Sequence, residues 1–172
     1  MRALLLDLLE TAVDKCYADD KTLIDRSMER ASVSRIYYYM QEMIKNEDKF
    51  TSLREHNLDS EYNKNGQEIK GSSRFLKGMI PDIILHKRGH NCDNLLVVEF
   101  KSHNGKNEKY PPTGQLKDIV KLEDFTNEKY SYFLGVFVKL YKKEPKYRFF
   151  QYGNEIDAIP ENSPRYSLGL RR

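Results

Sequence analysis

The sequence predicts an α/β fold in which a mixed sheet of about five strands is flanked by helices. Three observations lead there. Apolar residues recur at helical spacing through the first 45 positions. From about residue 58 onward come short runs rich in Val, Ile, Leu, Phe and Tyr, bounded by turn residues. One helical stretch interrupts those runs, and the strands on either side of it fall into hairpin-like pairs, which argues against a purely parallel sheet.

The elements follow in order. Leu4, Leu5, Leu8, Leu9, Ala12, Val13 and Cys16 repeat as one face of a helix over residues 2–17, and "YADDK" breaks it. Val33, Ile36, Met40, Met43 and Ile44 form the apolar stripe of a second helix, from about 25 to 45. "LDSEYNK" alternates like a strand and meets a turn at Asn65-Gly66, and residues 66–78 read as loop. Strands at 79–86 and 94–102 are joined by the hairpin loop "KRGHNCD". The loop "HNGKNEKYPPTG" leads to a helix over about 115–125, then to strands at 132–141 and 146–153. The order is α-α-β-β-β-α-β-β. No repeat, low-complexity tract or linker appears, so residues 1–172 read as one domain, with 1–24 as an N-terminal helical extension and 160–172 as an irregular tail.

Composition excludes little. Hydrophobic residues make up 39% and charged residues 32%, an ordinary soluble balance. A net charge of +3 neither announces a nucleic-acid partner nor excludes one. Cys16 and Cys92 form no CxxC pair, which argues against a zinc knuckle and for a reducing compartment. Asp7 and Glu10 interrupt the apolar start, and no segment approaches the roughly 18 apolar residues of a membrane helix. The expectation is a cytoplasmic protein with no membrane partner.

The chemistry concentrates in "LLVVEFKS", residues 95–102. Side chains alternate faces along a strand, so Leu95, Val97, Glu99 and Lys101 share one face while Leu96, Val98 and Phe100 share the other. A buried strand thus ends with a carboxylate and an amine on the same face. Upstream, Asp82 follows Pro81, which cannot donate to a sheet ladder and marks an irregular strand start. If the two strands pair as a hairpin, Asp82 and Glu99 fall at the same end of the sheet. Two carboxylates and the Phe100 carbonyl converging there suit a hard divalent cation, Mg²⁺, with Mn²⁺ as a substitute. The bland alternative is a surface ion pair at a strand edge.

Pro81-Asp82 and Glu99-Phe100-Lys101, 17 residues apart on neighbouring strands, resemble the PD-(D/E)XK nuclease superfamily with its restriction-endonuclease-like fold. The order helix, three strands, helix, strand over residues 25–141 resembles that family's core. The resemblance implies metal-dependent hydrolysis of phosphodiester bonds in DNA, less often RNA. It makes Asp82 and Glu99 metal ligands together with the Phe100 carbonyl, and Lys101 the catalytic lysine. Many members carry a further glutamate on the helix before the first strand, and Glu29 matches it, landing within the apolar stripe. The other reading of Glu29 is an acid at a helix start, where the dipole favours it. Gln115 and Lys121 on the helix after the ExK motif are the positions implied for nucleic-acid contact. Glu61 reads as a solvated strand residue, with a further site acid as the alternative.

The remaining features carry less. His86 and His90 flank a hairpin loop rather than lying on a helix, which argues against a zinc pair. No glycine pattern matches a phosphate loop or a dinucleotide fingerprint. Basic residues cluster after Lys101, at Lys117 and Lys121, and around the last hairpin at Lys139, Lys142, Lys143, Lys146 and Arg148. The hairpin cluster reads as solvated charge. An enzyme of this size that cuts both strands implies a homodimer. Against the nuclease stand a catalytically inactive nuclease-like module for nucleic-acid binding or protein interaction and, third, an interaction protein using its aromatic surface, Tyr37-Tyr38-Tyr39 included.

Overall fold

The N-terminal leucines are core. In the computed structural model, which describes residues 1–62, 64–65, 68–89, 91, 93–103 and 113–156, helix α1 (Arg2–Asp19) buries Leu5, Leu6, Leu8, Leu9, Ala12, Val13 and Cys16 completely. It packs against α3 (Glu29–Asn46), whose Ile36, Met40, Met43 and Ile44 complete the same cluster. Leucines of the expected 1–24 extension thus form part of the layer that covers the sheet, which is the burial their spacing asks for. The expected helix over 25–45 is corrected. A short helix α2 (Lys21–Asp25) ends first, Ser27 takes a left-handed φ of 55°, and α3 begins at Glu29.

A 3₁₀ turn (Asp48–Leu53) leads into the strands β1 (Asn57–Ser60), β2 (Lys64–Asn65), β3 (Glu68–Ile69), β4 (Ile83–His86) and β5 (Leu96–Ser102). Helix α4 (Thr113–Thr126) and strands β6 (Leu134–Leu140), β7 (Pro145–Gln151) and β8 (Asn154–Ile156) follow. The main sheet is mixed and open, with six strands in the order β1-β4-β5-β6-β7-β8. β5 and β6 run parallel, as a crossover through α4 requires, and the other neighbours in this sheet are antiparallel. The expected hairpin of β4 and β5 forms, with Ile83 opposite Val98. The sequence reading lacks β8, and also β3, which lies within the stretch 66–78 read as loop and pairs with β2. At three residues β8 is too short to show a period of its own, and the Tyr152-Gly153 turn, with φ of 51° and 74°, folds it back on β7.

The alternation along β5 divides the core in two. Leu96, Val98 and Phe100 face the α1–α3 layer, while Val97 joins Ile84, Ile119, Leu122, Phe125 and Phe137 beneath α4. Gly135 lets α4 approach β6: a Cβ there would meet the Thr126 methyl at 2.9 Å. Among the described residues no helix is long and apolar enough to cross a membrane. The turn at Gly66, Cys92, His90, the loop 104–112 with its Lys106 and Lys109, and the tail 160–172 lie outside the described residues.

Candidate active site

The site begins where a strand starts late. β4 pairs with β5 only from Ile83 onward, at Val98. Continuing that register would set Pro81 opposite Phe100, and proline has no N–H to offer. The end of β5 therefore turns to side chains. The Phe100 N–H donates to Asp82 Oδ2 at 2.7 Å, and the Ser102 N–H donates to Glu29 Oε2 at 2.7 Å. Within a strand the N–H and C=O of one residue leave by the same edge, so the Phe100 carbonyl points toward the same gap, between those two carboxylates.

On the α4 face, Glu99 is 1% exposed. Its Oε2 accepts from Lys121 Nζ at 2.6 Å, while Oε1 is buried with no hydrogen-bond partner among the described residues. Lys121 also lies 3.0 Å from Asp118. Lys101 stands between Asp118 at 3.4 Å and Glu29 at 3.2 Å. A cleft of about 670 Å³ is lined by Glu29, Asp82, Glu99, Lys101, Asp118 and Lys121, with Arg30 and Glu61 also on its walls. The six side chains arrive from four places in the chain: Glu29 from the first turn of α3, Asp82 ahead of β4, Glu99 and Lys101 from β5, Asp118 and Lys121 from α4.

Four carboxylates against two ammonium groups leave the centre of the cleft with an excess of negative charge. Burial first, then neighbouring carboxylates, push the acids up: Asp82 to about 6, and Glu99 well above the usual range despite the opposing Lys121. Burial pulls the amines of Lys101 and Lys121 down, but Asp118 and Glu29 around the first, and Glu99 and Asp118 around the second, outweigh it. The lysines are thus held toward their charged form, while burial works against the charge of Asp82 and Glu99.

A hard cation matches these donors: carboxylate oxygens, a backbone carbonyl, an unpartnered buried Glu99 oxygen and surplus negative charge. Asp82, Glu99 and the Phe100 carbonyl are the groups that could hold it. As they stand, no three His, Cys, Asp or Glu side chains among the described residues are grouped to enclose an ion. The Lys121 ammonium sits between Glu99 and Asp118. Metal entry would exchange that amine for the ion.

The structure thus brings Asp82, Glu99, Lys101 and Glu29 into one cleft, as the sequence reading expects. Glu29 is the first residue of α3, and its carboxylate is paired with Lys101 and accepts from the Ser102 N–H. Lys121 is turned inward, its side chain 12% exposed, as a counter-ion of the acids. Gln115 does not line the cleft; it accepts from Lys139 Nζ at 3.1 Å. Glu61 is exposed, as expected, but on the cleft wall. Its N–H donates to the Asp82 carbonyl and its φ is 49°, a left-handed conformation uncommon outside glycine. Asp118 is the residue that sequence reasoning missed. A signal existed: Asp118, Lys121, Leu122 and Phe125 share one face of α4, and that face is the buried one.

The discounted residues have other partners. His86 Nε2 lies 3.0 Å from Asp59, and Tyr37 and Tyr39 donate to the Leu58 carbonyl and to Asp20. Two of the three consecutive tyrosines therefore tie the fold together rather than offering a free surface. No protein-family model matches this chain, and no curated protein matches it either.

Proposed function

We propose that this protein is a metal-dependent nuclease that hydrolyses phosphodiester bonds of DNA, with RNA as the less favoured substrate. The observation that carries the reading is the convergence of Asp82, Glu99 and Lys101 in one cleft, with a buried Glu99 oxygen left unpartnered. The order α3, β1, β4, β5, α4, β6, with β5 and β6 parallel, supports the resemblance to a restriction-endonuclease-like core. Asp82, Glu99 and the Phe100 carbonyl would hold Mg²⁺ or Mn²⁺, which when bound supplies positive charge to a phosphoryl oxygen and makes water a stronger acid. Lys101, kept charged and oriented by Glu29 and Asp118, donates to the attacking water or to charge building on the phosphate. Glu29 positions that lysine and can accept a proton. Cutting both strands of a duplex calls for two such sites, hence a homodimer.

One observation favours a second reading. The Lys121–Glu99 and Lys121–Asp118 pairs already neutralise much of the cleft, as an inactive nuclease-like module for nucleic-acid binding or protein interaction would require. A cleavage assay separates the two. Plasmid, single-stranded DNA and RNA are incubated with Mg²⁺ or Mn²⁺ and wild type, Asp82→Asn or Lys101→Ala. The nuclease reading expects metal-dependent cutting that falls about a hundredfold or more in each variant. Cutting that survives both changes would contradict the assignment, and no cutting of any substrate would favour the inactive module.

A further inference from the structure

The sheet face that carries Glu99 and Lys101 continues beyond the cleft. Residues two apart share a face, so His103 follows Lys101 on the β5 side and Tyr141 follows Lys139 on the β6 side. Their rings pack with centroids 4.7 Å apart. The register sets Lys101 beside Lys139, and Lys139 beside Lys146. Three lysines thus form a row across three neighbouring strands, about 4.8 Å from one to the next. Like charges directly opposite each other weaken a sheet. Burial and then Lys146 hold the Lys139 amine below its ordinary value. Lys101 is paired with Glu29 and Asp118 and Lys139 donates to Gln115, yet the row as a whole gathers positive charge that would suit an external polyanion.

The β6–β7 turn extends it. Lys142, Lys143 and Lys146 are exposed, and with His103, Tyr141 and Glu144 they line an open groove of about 510 Å³. Among the described residues none of these three lysines forms a salt bridge. The turn is also held in place: Tyr17 donates to the Tyr141 carbonyl at 2.6 Å and Lys21 to the Lys142 carbonyl at 2.8 Å, so α1 and α2 anchor its backbone. Lys142 lies three residues past Lys139, at most about 10 Å along the strand direction from the height of Lys101. That span matches about three steps of a nucleic-acid strand at 3.4 Å each.

We propose that the β6–β7 turn is a second phosphate-backbone contact, in which Lys142, Lys143 and Lys146 grip the nucleic-acid strand about three nucleotide steps from the bond in the cleft. The inference rests on the nuclease reading and adds to it where the substrate runs. Lysines meet phosphate as point charges, so the contact carries no base preference.

The test uses the full chain in three forms: wild type, Lys142→Gln/Lys143→Gln/Lys146→Gln, and a control, Lys15→Gln/Lys45→Gln, that removes exposed charge elsewhere. Circular dichroism checks that each folds. Binding of fluorescein-labelled single-stranded and duplex DNA of about 20 nucleotides is measured by anisotropy in EDTA, from about 50 to 300 mM KCl. The triple variant is expected to bind about tenfold or more weakly at about 100 mM salt, with its log–log salt slope shallower by about 2 to 3 and the control unchanged. In Mg²⁺ its KM rises while kcat stays within about twofold of wild type. Equal slopes and affinities for wild type and triple variant, with wild type still binding and cutting, would overturn this contact and leave the nuclease reading standing. A wild type that neither binds nor cuts would overturn both.

Discussion

The Asp82 carboxylate accepts a hydrogen bond from the Phe100 N–H, in a cleft that already contains Glu29, Glu99 and Asp118. Burial, then Asp118 and Glu29, raise it to about 6 against the pull of the Phe100 N–H and Lys121, compared with about 3.9 in an unfolded chain. Between those values the metal-free folded state holds a proton that the unfolded state releases. Asp82 therefore contributes stability that is fully present below about pH 4 and is lost as pH rises through about 6, at most about 3 kcal/mol. Asp82→Asn keeps an oxygen for the Phe100 N–H and removes the charge. Without metal at about pH 7.5 it is expected to be more stable than wild type by about 1–3 kcal/mol, raising Tm by roughly 2–10 °C. Thermal melts across pH check this, and a variant less stable than wild type at neutral pH would contradict the repulsion. Asp82, Glu99 and Lys101 were legible in the sequence because strand alternation and an N–H-less proline fix their directions. Asp118 was not, because its importance depends on how α4 lies on the sheet, which no local pattern states.

Elements show the same division. The α1 periodicity was legible, but its place was not: a leucine-rich helix at the chain start reads equally as an appendage or as a layer, and only packing decides. Leu9 is fully buried in the cluster shared with α3 and the sheet. Leu9→Ala is expected to cost about 2–5 kcal/mol, lowering Tm by roughly 4–20 °C in circular-dichroism melts. A loss under about 1 kcal/mol would mean that α1 docks loosely. β4 was read four residues too long, since "MIPD" is apolar enough to look like strand while Pro81 delays the pairing until Ile83. That error of length lies at the residues that make the site, because the unpaired end of β5 is what the carboxylates of Asp82 and Glu29 fill.

Across the whole molecule, a net charge of +3 conceals a strong separation. Acids gather in the cleft at the C-terminal end of β5, and exposed lysines gather on the adjoining β6–β7 turn. Composition could not reveal this, since Lys101, Lys139 and Lys146 come into one row only through the register of three strands. On the proposed reading, such a field would draw phosphate toward one side of the cleft and cations into it. Metal binding at the acid centre would exchange protons and the Lys121 ammonium for a divalent ion. Isothermal titration of Mn²⁺ into wild type, Asp82→Asn and Glu99→Gln at about pH 7.5, repeated in two buffers of different ionisation enthalpy, tests that directly. The expected result is binding to wild type with release of protons, lost in both variants. No binding to wild type at millimolar Mn²⁺, or equal binding by all three proteins, would contradict it.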